Sequence, residues 1–392
     1  MVKYILLAAF VVLMVGVGVY SRNKVKDLND FFLGGRKMGP WLTAFAYGTA
    51  YFSSVIFIGY AGNIGWNFGI SAVWIGIGNA LLGCLLAWVV LGKRTRQMTH
   101  HMDAETMPDF FQKRYDCRWM KIVTALIIFI FLVPYSATVF KGLGYLFEIT
   151  FNIPGIYCLI GIAVLTGVYL LLGGYVATAL NNLIQGIIML VGVVLMLVFV
   201  LSHPQVGGLS EGIRKLAAIP DAGKGLTSVF SAMPLNLLGL VVLTSFGAWG
   251  LPQMIHKFYT IRDKQAIKRG AIVSTVFAMV IGGGAYLTGA FGRLFLDNTM
   301  PAGGPDTIMP AVLQTALPEA LLGLIIVLVL SASMSTLSSL VLVSSSSIAM
   351  DLFKGVLFPG MEKKTVMTWM RILCVVFVGV SFWVAATNVH VI

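Results

Sequence analysis

The sequence predicts an all-α polytopic membrane protein, and three observations support this fold class. Of the 392 residues, 58% are apolar and 11% are charged, a composition incompatible with a soluble core and its charged surface. Ten apolar stretches each approach or exceed the roughly 20 residues that an α-helix needs to cross a bilayer. The cationic residues gather in alternate loops, as they do in membrane proteins with a defined orientation.

The ten predicted spans are 4–20, 41–63, 71–92, 120–147, 154–173, 181–201, 235–258, 270–296, 318–350 and 365–387. Several are longer than one crossing requires, so tilted or broken helices are expected. The first span has a long apolar run and its heavier positive flank is C-terminal, which favours a retained helix over a cleaved signal peptide.

The formal net charge of +12 could suit nucleic acid, but the placement of the charges argues against that partner. With the N-terminus outside, twenty of the 27 Lys and Arg residues lie in inner loops and five in outer ones. The sequence therefore predicts an integral protein of the plasma (inner) membrane, with the lipid bilayer as its surroundings. The four cysteines are scattered singly and are interpreted as apolar fillers.

Two spans contain residues that interrupt helices. The second span holds Gly48 followed by residues 49–54 (TAYFSS), and the seventh holds Gly247, Gly250 and Pro252. Five spans separate these points, and broken helices at corresponding positions of two five-helix units indicate an inverted-repeat, LeuT-like transporter. Packing glycines and a simple proline kink are the alternative for each site taken alone.

The organisation predicted is a single transmembrane transporter domain, 1–392. It divides into an extra N-terminal helix with its inner loop (1–39), a first repeat (40–202), an outer loop (203–233) and a second repeat (234–392). The second repeat holds four spans where the first holds five. We therefore expect that the last core helix is missing through C-terminal truncation, with a shorter functional variant as the alternative. Polar residues 210–215 favour a short amphipathic helix in the outer loop.

The ninth span is unusual because ten hydroxyl side chains fall within residues 331–347. Hydroxyl groups at membrane depth need partners, and neutral oxygens grouped on a helix suit a small hard cation. The ten are Ser331, Ser333, Ser335, Thr336, Ser338, Ser339, Ser344, Ser345, Ser346 and Ser347.

Two separated segments resemble the sodium:solute symporter family. Residues 30–41, DFFLGGRKMGPW, resemble the entry to that family's first core helix, and residues 332–354 resemble its eighth. The likeness covers nearly the whole chain. It implies a Na⁺ site between these two core helices, with backbone carbonyls of Thr49, Phe52 and Ala332 and hydroxyls of Ser335 and Thr336 as ligands.

Some family members use serines like Ser338 and Ser339 together with an aspartate for a further sodium ion. The matching position in this chain is Asn182, which lacks the anionic ligand. The resemblance therefore implies one coupling Na⁺, with Ser338 and Ser339 in packing or relay roles.

Lys141 bears most directly on the solute, because it lies within a predicted span and no carboxylate lies well inside any span. A lysine at bilayer depth costs about 2.5 to 3.5 kcal/mol, so it calls for a partner. A solute carboxylate would supply one, as in sialic-acid-transporting relatives. The alternative is that Lys141 snorkels to water, since it is only seven residues from Glu148.

Further pocket candidates lie at the two interruptions and on the spans beside them. The third span offers Asn79 alone, where the family's sugar-transporting branch uses several Gln, Glu and Asn side chains. The predicted solute-binding residues are Tyr51, Ser53, Ser54, Asn79, Tyr135, Lys141, Trp249, Pro252 and Gln253. For the aromatic members, packing is the competing interpretation.

The sequence thus predicts a Na⁺-coupled secondary symporter that imports a small carboxylate or amino acid by alternating access. Na⁺ is the coupling ion and the small solute the partner, while the oligomeric state stays open. A membrane nutrient sensor of the same fold, with a signalling domain beyond residue 392, is the alternative. An enzyme is disfavoured, because clustered catalytic acids, histidines and activated nucleophiles are lacking.

Overall fold

The computed structural model describes residues 2–24, 27–151, 153–220 and 222–387, with the side chains of Tyr145 and Ile149 left out. The described chain is helical. Apart from short 3₁₀ turns, its helices are α1 (Val2–Arg22), α2 (Leu28–Leu33), α3 (Pro40–Tyr51), α4 (55–68), α5 (73–101), α6 (Met107–Tyr115), α7 (Arg118–Phe151), α8 (155–173) and α9 (175–202). They continue as α10 (Leu209–Ala217), α11 (Gly223–Leu226), α12 (Pro234–Phe246), α13 (Pro252–Thr260), α14 (Lys264–Ala290), α15 (Gly292–Phe295), α16 (Ile308–Ala316), α17 (319–357) and α18 (Lys363–Ala386).

By length and composition, seven helices within the described ranges could cross a membrane, or eight if the bent pair α12 and α13 counts as one span. Two of the seven are continuous runs of 47 and 48 residues, about 70 Å at 1.5 Å per residue, far more than one crossing needs. Each run changes direction at a glycine with positive φ, Gly69 (φ 57°) or Gly174 (φ 50°). The 48-residue run covers the predicted spans 154–173 and 181–201, whereas the 47-residue run covers the end of span 41–63 and the whole of span 71–92. Every one of the ten predicted spans coincides with a helix or a broken helix.

Both predicted interruptions are present. Helix α3 ends at Tyr51, Phe52 is extended, and α4 resumes at Val55. Between α12 and α13 a short 3₁₀ turn leads to an extended Leu251, and the axes differ by 51°. Pro252 explains the second break, because it lacks an N–H and keeps the preceding residue out of the helical region.

Helix α17 forms the centre of the molecule, and residues 325–350 are all buried. It packs against α1, α7 and the α8–α9 run. Helix α1 packs against the α8–α9 run and α17, and Gly18 approaches Tyr169 so closely that an added Cβ would lie 2.9 Å from the tyrosine Cβ. The predicted short helix of the outer loop is confirmed as α10.

The predicted inner side is closed by backbone pairing between the segments next to the two broken helices. The Met38 N–H donates to the Thr260 carbonyl at 3.2 Å, and the Arg262 N–H donates to the Met38 carbonyl at 3.2 Å. Arg36 donates to the Ala104 carbonyl at 2.9 Å, and Arg96 to that of Ile261 at 3.0 Å. These bonds hold the inner ends of α3, α5 and α13 together.

A buried ion-pair cluster lies on the same side. Lys121 contacts Asp109 at 3.0 Å and Asp351 at 3.5 Å, and Lys113 contacts Asp109 at 2.9 Å. Burial alone would raise the pKa of Asp109, but the two ammonium groups hold it below its ordinary value. The cluster joins α6, α7 and the end of α17.

Candidate functional site

The end of α3 presents unpaired carbonyl groups to α17. A helix that stops at Tyr51 leaves the carbonyls of its last turn without intrahelical partners. The Thr49 carbonyl accepts hydrogen bonds from Ser335 Oγ at 3.1 Å and from Thr336 Oγ1 at 3.4 Å. Two predicted ligands from α17 therefore meet a predicted ligand from α3.

The same two hydroxyls also contact their own helix. Ser335 Oγ lies 3.0 Å and Thr336 Oγ1 3.1 Å from the Ala332 carbonyl oxygen. The carbonyls of Thr49 and Ala332 and the two hydroxyls therefore form a closed group of four neutral oxygens, and all four residues are buried. Ligand oxygens at about 2.4 Å from a hard cation lie about 3 to 3.5 Å from one another, so the spacing suits Na⁺.

The other hydroxyls of the ninth span differ in their partners. Ser331 and Ser333 donate to carbonyls four residues earlier in α17, as Ser345 does. Such bonds satisfy a hydroxyl within its own helix and are ordinary at membrane depth. Ser335 and Thr336 therefore differ from Ser331, Ser333 and Ser345 in that they also contact the Thr49 carbonyl of α3.

Phe52, the fifth predicted ligand, is the first residue after α3, and its backbone is extended (φ −103°, ψ 95°). The Ile56 N–H donates to the Ser53 carbonyl and not to that of Phe52. Among the described residues no group of three or more His, Cys, Asp or Glu could hold a metal ion. The donor set is thus one of neutral oxygens, which suits Na⁺ better than a transition metal.

The region predicted to lack a second sodium ion contains a buried lysine. Ser338 and Ser339 both donate to the Ser335 carbonyl, and Ser339 also accepts from Lys257 Nζ at 3.1 Å. Lys257 was one of the twenty cations that the sequence analysis counted in inner loops, and that placement was wrong, because α13 continues to Thr260 and only 1% of Lys257 is exposed. Asn182 is fully buried.

A cavity of about 460 Å³ lies between the two breaks. It brings together four of the nine predicted solute-binding residues, namely Tyr51, Ser53, Asn79 and Tyr135. Asn79 Oδ1 accepts from Thr244 Oγ1 at 2.8 Å and from Ser245 Oγ at 3.2 Å. These bonds fix the amide and leave its Nδ2 as a donor.

Four other predicted residues border the breaks but do not line this cavity. Ser54 Oγ donates to the Val139 carbonyl at 3.0 Å, and Trp249 Nε1 to the Leu82 carbonyl at 2.9 Å, so both fasten the breaks to neighbouring helices. Pro252 borders a void of about 10 Å³ on the inner side of the break. Gln253 is fully buried.

Lys141 lies elsewhere. It borders a separate cavity of about 300 Å³ together with Glu148, Gly155 and Ala385. This cavity is formed by the outer half of α7 with α8 and α18, away from the breaks. Pairing of Lys141 with a solute in the central cavity is therefore not supported by its position.

Sequence reasoning missed several residues of the central cavity. Thr138 and Thr244 add hydroxyls, while Tyr60 and Tyr286 add aromatic rings. The hydroxyl of Tyr286 is buried and has no hydrogen-bond partner among the described residues. Its span is rich in glycine and small residues, and no pattern marks one tyrosine there as exceptional.

The electrostatics of the cavity come from helix ends, since none of its lining residues is charged. Val55, at the start of α4, lines one wall, and Gly247 and Ala248, just past the end of α12, line another. A helix start carries a partial positive charge and a helix end a partial negative one, each about half an elementary charge. The cavity lining thus includes both a helix start and a helix end, which carry opposite partial charges.

Comparisons with known proteins agree with this geometry. The profile of the sodium:solute symporter family matches residues 31–391. Sodium/proline symporters of Staphylococcus aureus strains JH9 and USA300 are 29% identical over 367 residues, covering 92% of this chain and 69% of theirs. The solved structure of a Na⁺-coupled sialic acid symporter, substrate-bound and outward-open, shares the fold with a TM-score of 0.81 at 19% identity, covering 99% of this chain and 82% of that one.

Proposed function

The chain belongs to the sodium:solute symporter family, and we propose that this Na⁺-coupled symporter carries a small neutral amino acid. The observation that carries the proposal is an uncharged cavity lined by the start of one helix and the end of another. A zwitterion fits such a site, because its carboxylate can face the start of α4 and its ammonium the end of α12. The Staphylococcus aureus relatives are named sodium/proline symporters, which supports the same solute class.

A monocarboxylate fits less well. It would bring a net negative charge into a cavity whose lining holds no cationic side chain. Lys141, which could have compensated that charge, borders a different cavity. Of the two solute classes that the sequence left open, the geometry therefore favours the amino acid.

Coupling is proposed to act through the oxygens shared by α3 and α17. Na⁺ bound by Thr49, Phe52, Ala332, Ser335 and Thr336 would hold the broken helix against α17, with Tyr51 and Ser53 of the cavity beside it. Order at the break then raises solute affinity, and by linkage solute raises Na⁺ affinity. The bonds at Met38 keep the inner side closed in this arrangement.

The energetics distinguish the two solute classes. One positive charge falling through 100 mV releases about 2.3 kcal/mol, and a tenfold Na⁺ gradient adds about 1.4 kcal/mol. A zwitterion moved with one Na⁺ uses both terms and can accumulate a few hundredfold. A monoanion moved with one Na⁺ carries no net charge and uses only the gradient, about tenfold.

The test is uptake by proteoliposomes containing the purified chain, under an imposed Na⁺ gradient and membrane potential. Labelled proline and other small neutral amino acids are compared with short monocarboxylates, sialic acid and glucose. We expect amino acid uptake that requires Na⁺ and increases when the interior is made negative. Uptake confined to a monocarboxylate and insensitive to the potential would overturn the proposed solute class.

A further inference from the structure

A second cavity, of about 570 Å³, lies between the middle of α5 and the first turns of α14 and shares no lining residue with the central cavity. Lys93 contributes from α5, and Lys264 and Lys268 contribute from the first turns of α14. Its remaining surface is mainly apolar and includes Trp88, Val89 and Ile267, among others. We call it the lysine groove.

The charges of the lysine groove are unbalanced. All three lysines are exposed, none of the lining residues is acidic, and the lysines form no ion pair within the described ranges. Lys264 and Lys268 lie four residues apart on one helix face, where like charges repel. Asp263, the adjacent acid, caps α14 through the Ala266 N–H at 2.7 Å and pairs with Arg262 at 2.9 Å. The lining of the groove therefore carries three positive charges that no acidic side chain of the described residues balances.

The position of the groove favours an anion that comes with an apolar part. Lys93 follows the predicted span 71–92, and Lys264 precedes the predicted span 270–296, so both lie where helices enter the membrane. The groove is also lined by Val89, which is 65% exposed, and by the buried Ile267 and Ala271. A phospholipid fits both parts, with its phosphate at the lysines and its upper acyl chain along the apolar wall.

Trp88 connects the groove to the broken helices. Its ring lies 5.3 Å from Tyr47 of α3 and 5.0 Å from Phe258 of α13, centroid to centroid. Gly270 of α14 packs on another side of Trp88, and an added Cβ would lie 2.8 Å from the indole. Trp88 is therefore shared between the wall of the lysine groove and the packing around both broken helices.

We propose that the lysine groove is a binding site for the headgroup of an anionic phospholipid, which holds α5 and the first turns of α14 together. The three lysines bind the phosphate, and a zwitterionic phospholipid binds less well because its own cation opposes theirs. Each lysine near an anionic headgroup contributes an attraction that corresponds to about fivefold in affinity, so three correspond to about a hundredfold.

The experiment measures the thermal stability of the purified chain in detergent during titration with phosphatidylglycerol, phosphatidylcholine or inorganic phosphate. The test variant carries Lys93→Gln, Lys264→Gln and Lys268→Gln. The matched control carries Lys354→Gln, Lys363→Gln and Lys364→Gln, which removes the same charge at lysines that do not line the groove. Native mass spectrometry counts the phosphatidylglycerol that each protein retains.

We expect phosphatidylglycerol to stabilise the unmodified chain and the control at similar concentrations, and the test variant to need about a hundredfold more. Equal responses of test and control variants would overturn the proposal, as would equal stabilisation by phosphatidylcholine. Stabilisation by inorganic phosphate alone would show a simple anion site instead of a lipid site. If the triple variant does not fold, Lys93→Gln and Lys268→Gln alone should each shift the midpoint about fivefold. No transport measurement is needed, so the outcome is separate from that of the uptake experiment.

Discussion

Replacement of Ser335 by alanine removes one oxygen from the proposed Na⁺ site and little else. The hydroxyl is fully buried and lies 3.1 Å from the Thr49 carbonyl oxygen and 3.0 Å from that of Ala332. An interaction of this kind with a charged group is worth about 1.5 to 3 kcal/mol, and water has little room to replace it. Taking the lower value, we expect Ser335→Ala to raise the Na⁺ concentration for half-maximal uptake about tenfold.

The assay is a Na⁺ titration of solute uptake in proteoliposomes, together with Na⁺-dependent thermal stability of the purified chain. Ser333→Ala is the matched control, because Ser333 is equally buried in the same helix but donates only to the Val329 carbonyl at 2.9 Å. Thr336→Ser keeps the second hydroxyl and should retain near-normal Na⁺ dependence. If Ser333→Ala and Ser335→Ala gave the same Na⁺ midpoint, the reasoning would be refuted.

Three further predictions concern the cavity, the helix packing and the inner ion pairs. Tyr286→Phe should raise the KM for solute uptake about two- to tenfold, because it removes one neutral hydrogen bond. Tyr259→Phe is the control: it also removes a buried hydroxyl without a partner among the described residues, but Tyr259 does not line the central cavity, so the KM should stay unchanged. Gly76→Ala should destabilise the chain by about 1 to 3 kcal/mol, because the added Cβ would lie 2.6 Å from the Gly282 carbonyl carbon. In the control Gly283→Ala the added Cβ meets open space, so its melting temperature should equal that of the unmodified chain. Asp109→Asn should lower the melting temperature at neutral pH. Because the pKa of Asp109 is lower in the folded chain than in the unfolded one, its stabilising contribution is present above about pH 3.9 and is lost as the pH falls through the folded pKa. The melting temperatures of the variant and the unmodified chain should therefore converge in acid.

The span pattern and the two breaks could be predicted from sequence because they follow from composition along the chain. Hydrocarbon thickness sets the length of an apolar run, and Pro252 forces its neighbour Leu251 into an extended conformation. The pairing of α3 with α17 followed from the family resemblance. Which of the ten hydroxyls reach the broken helix α3 depends on rotation about the α17 axis, and that rotation needed the structure.

The position of Lys141 could not be predicted for the same reason. Its depth along α7 is readable from sequence, but the helix is apolar on all sides, so the direction of one cation around the axis is not encoded in the pattern. Lys257 was misassigned because a cation four residues before a charged loop looks like part of that loop. In the structure the last turn of α13 buries Lys257, and Met38 forms backbone hydrogen bonds with Thr260 and Arg262 directly after that turn.

The central claim is that Na⁺ and solute move together because both are held at the break of α3. The most direct measurement is the uptake of labelled Na⁺ into proteoliposomes driven only by an inward gradient of the transported solute. The account predicts solute-driven Na⁺ entry that is lost when Ser335 and Thr336 are both replaced by alanine. Solute entry with no accompanying Na⁺, or Na⁺ entry unaffected by the double replacement, would contradict it.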